Sequence, residues 1–441
     1  MARRRTANVG QSGRCNQGQR RASYRAMSAT PAHICPLAPL DPLPRLTQTL
    51  PGCGGRMRVE IEDFEVEEIA TYAPSGDGEH LFLWVEKRDM AAETMRKAIA
   101  RALGVAAGDI GMAGMKDRRA VTRQWVSVPR RCESRLPAIQ DDRICVLDAV
   151  AHRNKLRTGH LDGNRFSIRL RGPVADAAER IGAKLAMITE HGLPNFYGSQ
   201  RMGHGGATLA AGWALAHGAH GLVRLQLNDG TQHTFDLGDR QLRRLAASAL
   251  QAEVFNRTVA ARMADGIFAT VLLGDVCRKT DTGGQFVSDD IEREQLRLTS
   301  QALEITGPMW GPKMPQPAAD AAAYEATVLG SLGLVLGDFS ALGHLAEGTR
   351  RPIRMRPANL RCVVEQDAVL LQFELPAGAF ATTVVGEIVG PAKSEPELAL
   401  TSLSHFGLAE SAAKVDVVGV LVAASSAALA GVDVTTAGGN D

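Results

Sequence analysis

Residues 114–125 read Gly-Met-Lys-Asp-Arg-Arg-Ala-Val-Thr-Arg-Gln-Trp, which sets one carboxylate, Asp117, among Lys116, Arg118, Arg119 and Arg123. It follows glycines that permit a tight turn. Neighbouring cations favour the ionised form of a carboxylate, the form that a carboxylate nucleophile needs. The same composition also describes an ordinary solvated loop tip, where Lys and Asp beside Gly do no more than make a turn. Type and spacing alone leave both readings open. The seven cysteines (Cys15, Cys35, Cys53, Cys132, Cys145, Cys277 and Cys362) are scattered and contain no C-x-x-C pair. That argues against a disulfide framework and a zinc site, and fits a reducing cytosol.

Net charge is +2 over 441 residues, so the distribution of charge says more than its sum. Residues 1–40 hold no Asp or Glu but seven arginines, and residues 116–171 are dense in Lys and Arg. Local basic stretches on a near-neutral chain suit a protein that meets a polyanion on one surface. Ordinary solvated faces would look the same. No apolar run is long enough to span a membrane, and the Ala-rich Val417–Gly431 stretch, bracketed by Asp416 and Asp433, reads as a soluble tail.

These residues need elements to hold them. Residues 1–52, rich in Arg, Pro, Ser, Gln and Gly without a sustained period, are expected to be disordered. They are open to reading as a transit peptide, an RNA-binding arm, or an extension ahead of a true start at Met27. Order is expected from about Arg56, with a partly alternating strand over 57–69, a turn at 74–78 and an apolar strand over 81–85. Met95, Ile99 and Leu103 have helical spacing. In 165–171, Phe166, Ile168 and Leu170 face one way and Arg165, Ser167, Arg169 and Arg171 the other. Further helices are expected over 176–190 and 241–263, the second with Leu242, Leu245, Val259 and Met263 in the core, and a strand over 366–374. Strands and helices mix without regular alternation, an α+β pattern.

Six segments, in order, resemble the TruD family of pseudouridine synthases. GMKDRRAVTRQ at 114–124 is similar to its GxKDxxAxTxQ motif, and DFEVEE at 63–68 with SGDGEH at 75–80 to its N-terminal strand and turn. HRNKLRTGHLDGNRF at 152–166 resembles HxxKLRxGxLxGNxF, PNFYGSQRMGHGG at 194–206 resembles PNYFGxQRFGxxG, and FELPAGAFAT at 373–382 resembles FxLPAGxFAT. Val254-Phe255-Asn256 and LLGD at 272–275 also match. The set covers about three-quarters of the chain. Departures are Met202 for the aromatic of QRFG, Thr208 near a usual Asn, Gly386 for an arginine before Glu387, and 218–240 as an insertion.

The resemblance implies an α+β fold: a pseudouridine-synthase catalytic domain with a mixed sheet over 56–195 plus 350–390, interrupted by a TruD-specific α+β insertion domain over 196–349. Residues 391–441 form a tail of unknown role. It implies isomerisation of uridine to pseudouridine at position 13 of tRNA in the cytoplasm, with no metal or organic cofactor and no obligate protein partner. The nucleophile falls on Asp117, its basic partner on Arg58, and the GNxF pair on Asn164, to orient the loop or the uracil, and Phe166, to stack on the base. Lys116, Lys155, Arg157, Gln200, Arg201 and His204 are expected RNA contacts, with Arg169 and Arg171 on an RNA-facing surface. Without the resemblance, Phe166 reads as core, Arg58 as a surface strand residue and Asn164 as a turn residue. The alternatives are a same-fold enzyme acting on another RNA and a non-catalytic RNA-binding or RNA-folding protein.

Overall fold

A computed structural model of the chain describes residues 33–390 and 433–436. The strands are β1 (His33–Ile34), β2 (Gly54–Met57), β3 (Phe64–Ala70), β4 (His80–Arg88), β5 (Gly111–Met112), β6 (Val121–Pro129), β7 (Ile144–His152), β8 (Leu161–Pro173), β9 (Leu193–Pro194), β10 (Leu222–Gln226), β11 (Gln232–Asp236), β12 (Val276–Lys279), β13 (Gln285–Val287), β14 (Leu303–Met309), β15 (Thr349–Pro352), β16 (Arg354–Met355), β17 (Ala358–Val364), β18 (Ala368–Pro376) and β19 (Asp433–Thr436). The helices are α1 (Ala92–Leu103), α2 (Ala177–His191), α3 (Ala207–Ala216), α4 (Arg240–Ala264), α5 (Ile291–Thr299), α6 (Ala319–Ser331), α7 (Leu336–Ala341) and α8 (Ala381–Val389).

Ten strands form one sheet in the order β19-β17-β18-β8-β3-β6-β4-β7, with β2 added to β8 and β5 to β6. The β3–β6 and β17–β19 pairs are parallel and the rest antiparallel, so the sheet is mixed and the fold is α+β. β8 shows why it forms: Phe166, Ile168 and Leu170 sink into a core shared with Ile181, Leu185 and Ile188 of α2 and Val384 and Ile388 of α8. The opposite face of β8 is laced by ion pairs from Arg165, Arg169 and Arg171. α1 buries Met95, Ile99 and Leu103 as their spacing demands, and Gly104, at φ 65°, ends it in the left-handed region.

Residues 193–355 carry two further cores and smaller sheets. One core packs α3 against α4, the other packs Phe255, Val259 and Met263 of α4 against β12 and β14. Asp239 caps α4 by accepting from the Gln241 and Leu242 amides. Val259 and Met263 are buried as expected, but Leu245 stays 47% exposed. The buried face of α4 is instead lined by small residues such as Ala246, Ala247 and Ala249.

The expected disorder through residue 52 does not hold for its last part. β1 pairs in parallel with β10, completing a sheet with β11 from the 218–240 insertion. The Leu40 amide donates to Glu253, the Arg257 guanidinium to the Ala38 carbonyl, and the Thr47 amide and hydroxyl to Glu387. The partners lie hundreds of residues away, so the segment shows no local period. Met27 and the Val417–Gly431 stretch lie outside the described residues. No helix among the described residues is long and apolar enough to cross a membrane.

Candidate active site

Asp117 sits in the loop between β5 and β6, and the positions of its motif have separate physical tasks. Ala120 is buried beneath the sheet. Gln124 donates its amide to the Gly114 carbonyl at 3.2 Å, holding the glycine turn. Lys116 turns inward to Glu68 at 2.7 Å, both side chains almost wholly buried. Burial pushes the Glu68 carboxyl up, against the pull of Lys116 and of the Trp125 amide. The Lys87 ammonium, at the end of β4, donates to the Asp117 carbonyl at 2.6 Å.

The loop is thus tied at three points, two on its main chain and one through the Lys116 side chain, while the Asp117 side chain is left 49% exposed. Among the described residues its carboxylate meets one partner, Arg58 Nη2 at 3.3 Å. Arg58 follows β2 in the left-handed region, at φ 60°. Its guanidinium lies 4.0 Å over the Phe64 ring. Phe64 meets the edge of Phe166 at 6.2 Å, and Phe166 stacks on Phe373 at 5.3 Å. Strand register explains the assembly: β3, β8 and β18 are neighbours, with Val66 opposite Phe166 and Phe166 opposite Phe373. Residues 58–64, Phe166 and Phe373, far apart in sequence, thus stand in line behind the Arg58–Asp117 pair.

The expected site residues do not all join it. Phe166 is 5% exposed, its ring met by Phe373 and Phe64, so it supports Arg58 through Phe64 rather than offering a free face to a base. Asn164 lies opposite Glu68 across β3 and β8, and its buried Oδ1 has no partner among the described residues. Lys116 is an internal cation rather than a surface contact. Lys155 donates to the Gly108 carbonyl, whereas Arg157 is exposed. Arg169 and Arg171 are taken up by Glu365 and Asp63.

The 194–206 segment is held by α4: Asn256 accepts from the Tyr197 amide and donates to its carbonyl, both at 2.9 Å. Arg351 lies 4.2 Å over the Tyr197 ring and donates to the Asn195 and Gly378 carbonyls. It therefore joins the PNFYG and LPAG segments. Arg201 packs at 5.4 Å from the same ring, while Gln200 and His204 are exposed. Met202 is buried in the α3–α4 core. Asp275 of LLGD is buried against Arg262 at 2.8 Å, and a Cβ on Gly274 would fall 1.9 Å from the Ala318 carbonyl oxygen, so that motif is architectural.

A family model described as tRNA pseudouridine synthase D (TruD) matches residues 44–221 and 219–388. The chain belongs to the TruD family. A TruD relative from Anaeromyxobacter dehalogenans (strain 2CP-1), named tRNA pseudouridine synthase D, is 42% identical over 360 residues, covering 81% of this chain and 98% of the relative. One of the same name from Thermus thermophilus is 40% identical over 347 residues, covering 78% and 92%. A crystal structure of a TruD protein from Methanosarcina mazei shares the fold at a TM-score of 0.61 and 22% identity, covering 78% of this chain and 95% of that one.

Within this TruD chain, the Gly386 departure has a visible counterpart. Glu387 is satisfied by the Leu46 and Thr47 amides and the Thr47 hydroxyl, and Lys184 reaches Thr47 and the Glu387 carbonyl. Sequence reasoning missed Lys87, Glu68, Phe64 and Arg351. Lys87 carried a signal: it falls on the same strand face as Leu81, Leu83 and Val85, where a lysine breaks an apolar period. Arg351 carried none.

Proposed function

We propose that this chain isomerises uridine to pseudouridine in tRNA, at position 13, with Asp117 as the nucleophile. The observation that carries the reading is the Asp117 carboxylate, half exposed on a loop tied at three points and paired through its side chain to Arg58 alone among the described residues. A family whose relatives are named tRNA pseudouridine synthase D supports the substrate.

In the reaction the N1–C1′ bond breaks and a C5–C1′ bond forms, C5 loses its hydrogen and N1 gains one. Addition of the carboxylate to C1′, its addition to uracil C6, and its removal of the 2′ proton all balance on that stoichiometry, and each needs the carboxylate held still and accessible. A uridine inside folded tRNA must first leave its stack to reach Asp117. Arg58 supplies the opposing charge and, through its contact with Phe64, takes its own orientation from the β3–β8–β18 core. In this reading the ten-stranded sheet carries the chemistry, and Arg351, over the Tyr197 ring and hydrogen-bonded to the Gly378 carbonyl, ties the 196–349 segment to it.

The test is tritium release from tRNA transcripts labelled at uridine C5, with mapping of the product. Wild-type protein should release tritium and place pseudouridine at position 13, and Asp117→Ala should do neither. Release by Asp117→Ala would remove the nucleophile assignment. Product at another position, or on another RNA, would correct the substrate.

A further inference from the structure

Lys87 lies outside every motif that the sequence displays. It is fully buried, it makes no ion pair among the described residues, and its ammonium meets the Asp117 carbonyl at 2.6 Å. A buried charge without a counter-ion is costly, so its donors need partners, and the Asp117 carbonyl is one of them. The charged groups that face it are Asp117 and Lys116 from the loop and Asp89 from beyond its own strand. Lys116 is neutralised by Glu68.

We infer that Lys87 is a positioning residue for Asp117, clamping the nucleophile's main chain at its carbonyl and adding a second positive charge to the one that Arg58 supplies. This rests on the assignment of Asp117 as nucleophile. The clamp acts where the loop lacks regular structure, and the other side-chain ties on Asp117's neighbours are Lys116 to Glu68 and Gln124 to Gly114. Burial lowers the Lys87 ammonium to about 8, with Asp117 pulling the other way and Lys116 adding to the fall. The clamp therefore weakens as pH rises through that value.

The experiment follows tritium release, tRNA affinity and thermal unfolding for wild type, Lys87→Met, Lys87→Arg and Asp117→Ala. Methionine fills the space without charge or donor. The inference expects kcat of Lys87→Met to fall by about 10- to 100-fold, the worth of one charge-assisted hydrogen bond. KM and tRNA affinity should stay within about twofold. Its melting temperature should hold or rise, because an unpaired buried charge has gone. A residue that only stabilised the fold would lower melting and leave kcat alone. Wild-type kcat/KM should show an alkaline limb near 8 that Lys87→Met and Lys87→Arg both lack. Wild-type kcat in Lys87→Met, or no limb in the wild type, overturns the inference. If Lys87→Met does not fold, Lys87→Arg decides: turnover retained without the limb supports the role, and turnover lost, or retained with the limb unmoved, overturns it. Full turnover by Asp117→Ala would instead remove the reading beneath it.

Discussion

Arg58 holds a left-handed backbone, at φ 60°, while placing its guanidinium between the Phe64 ring and the Asp117 carboxylate. Its side chain and its backbone can be separated by experiment. In Arg58→Gly the relief of the left-handed conformation and the added chain entropy oppose each other at roughly 1 kcal/mol each. The melting temperature should therefore stay near wild type while tritium release falls by about 10- to 100-fold. Arg58→Lys keeps the charge without the fork and should fall between the two. A glycine variant as active as wild type would take Arg58 out of the site. None of this geometry follows from residue type, since an arginine and an aspartate 59 positions apart carry no mark of being paired.

Among the elements, the clearest periods were legible in sequence. The faces of β8, α1 and α2 follow from two-residue and helical spacing, and the large apolar residues the spacing names are all buried, though α2 also buries Lys184, which it does not name. α4 was misread in part because bulk was taken as the guide to burial. Its contact with α3 is made by small residues, and a Cβ on Gly212 of α3 would lie 2.2 Å from the Ala246 carbonyl oxygen. Leu245 is accordingly left outside. Gly212→Ala should push the two helices apart and cost about 1–3 kcal/mol in a denaturant titration. A midpoint equal to wild type would show that the crossing accommodates a methyl group.

For the whole molecule, the cations divide into paired and free. Arg169 and Arg171 are neutralised by Glu365 and Asp63, whereas Arg157 is exposed and unpaired among the described residues. Arg157→Ala should weaken tRNA binding and flatten the dependence of log affinity on log salt by about one unit, the signature of one lost phosphate contact. Its kcat should match wild type. An unchanged salt slope would place Arg157 away from the RNA. The N-terminal segment belongs to the same scale, since 33–52 joins β10, α4 and α8 into one assembly through contacts that no local window contains.

The sequence by itself determined the family, the α+β class, the turn that carries Asp117 and the apolar faces of the regular strands and helices. These are local or ordered along the chain, and a period or a run of motif residues states them in full. Only the tertiary structure decided that Lys116 points inward to Glu68, that Phe166 is sealed by Phe373, that Lys87 reaches the Asp117 carbonyl and that Arg351 joins two motifs. The physical reason is that charge and aromaticity are properties of a residue, whereas burial and partnership arise between segments. A lysine becomes a surface contact or an internal clamp according to what packs over it, and the strands that do so here arrive from distant parts of the chain.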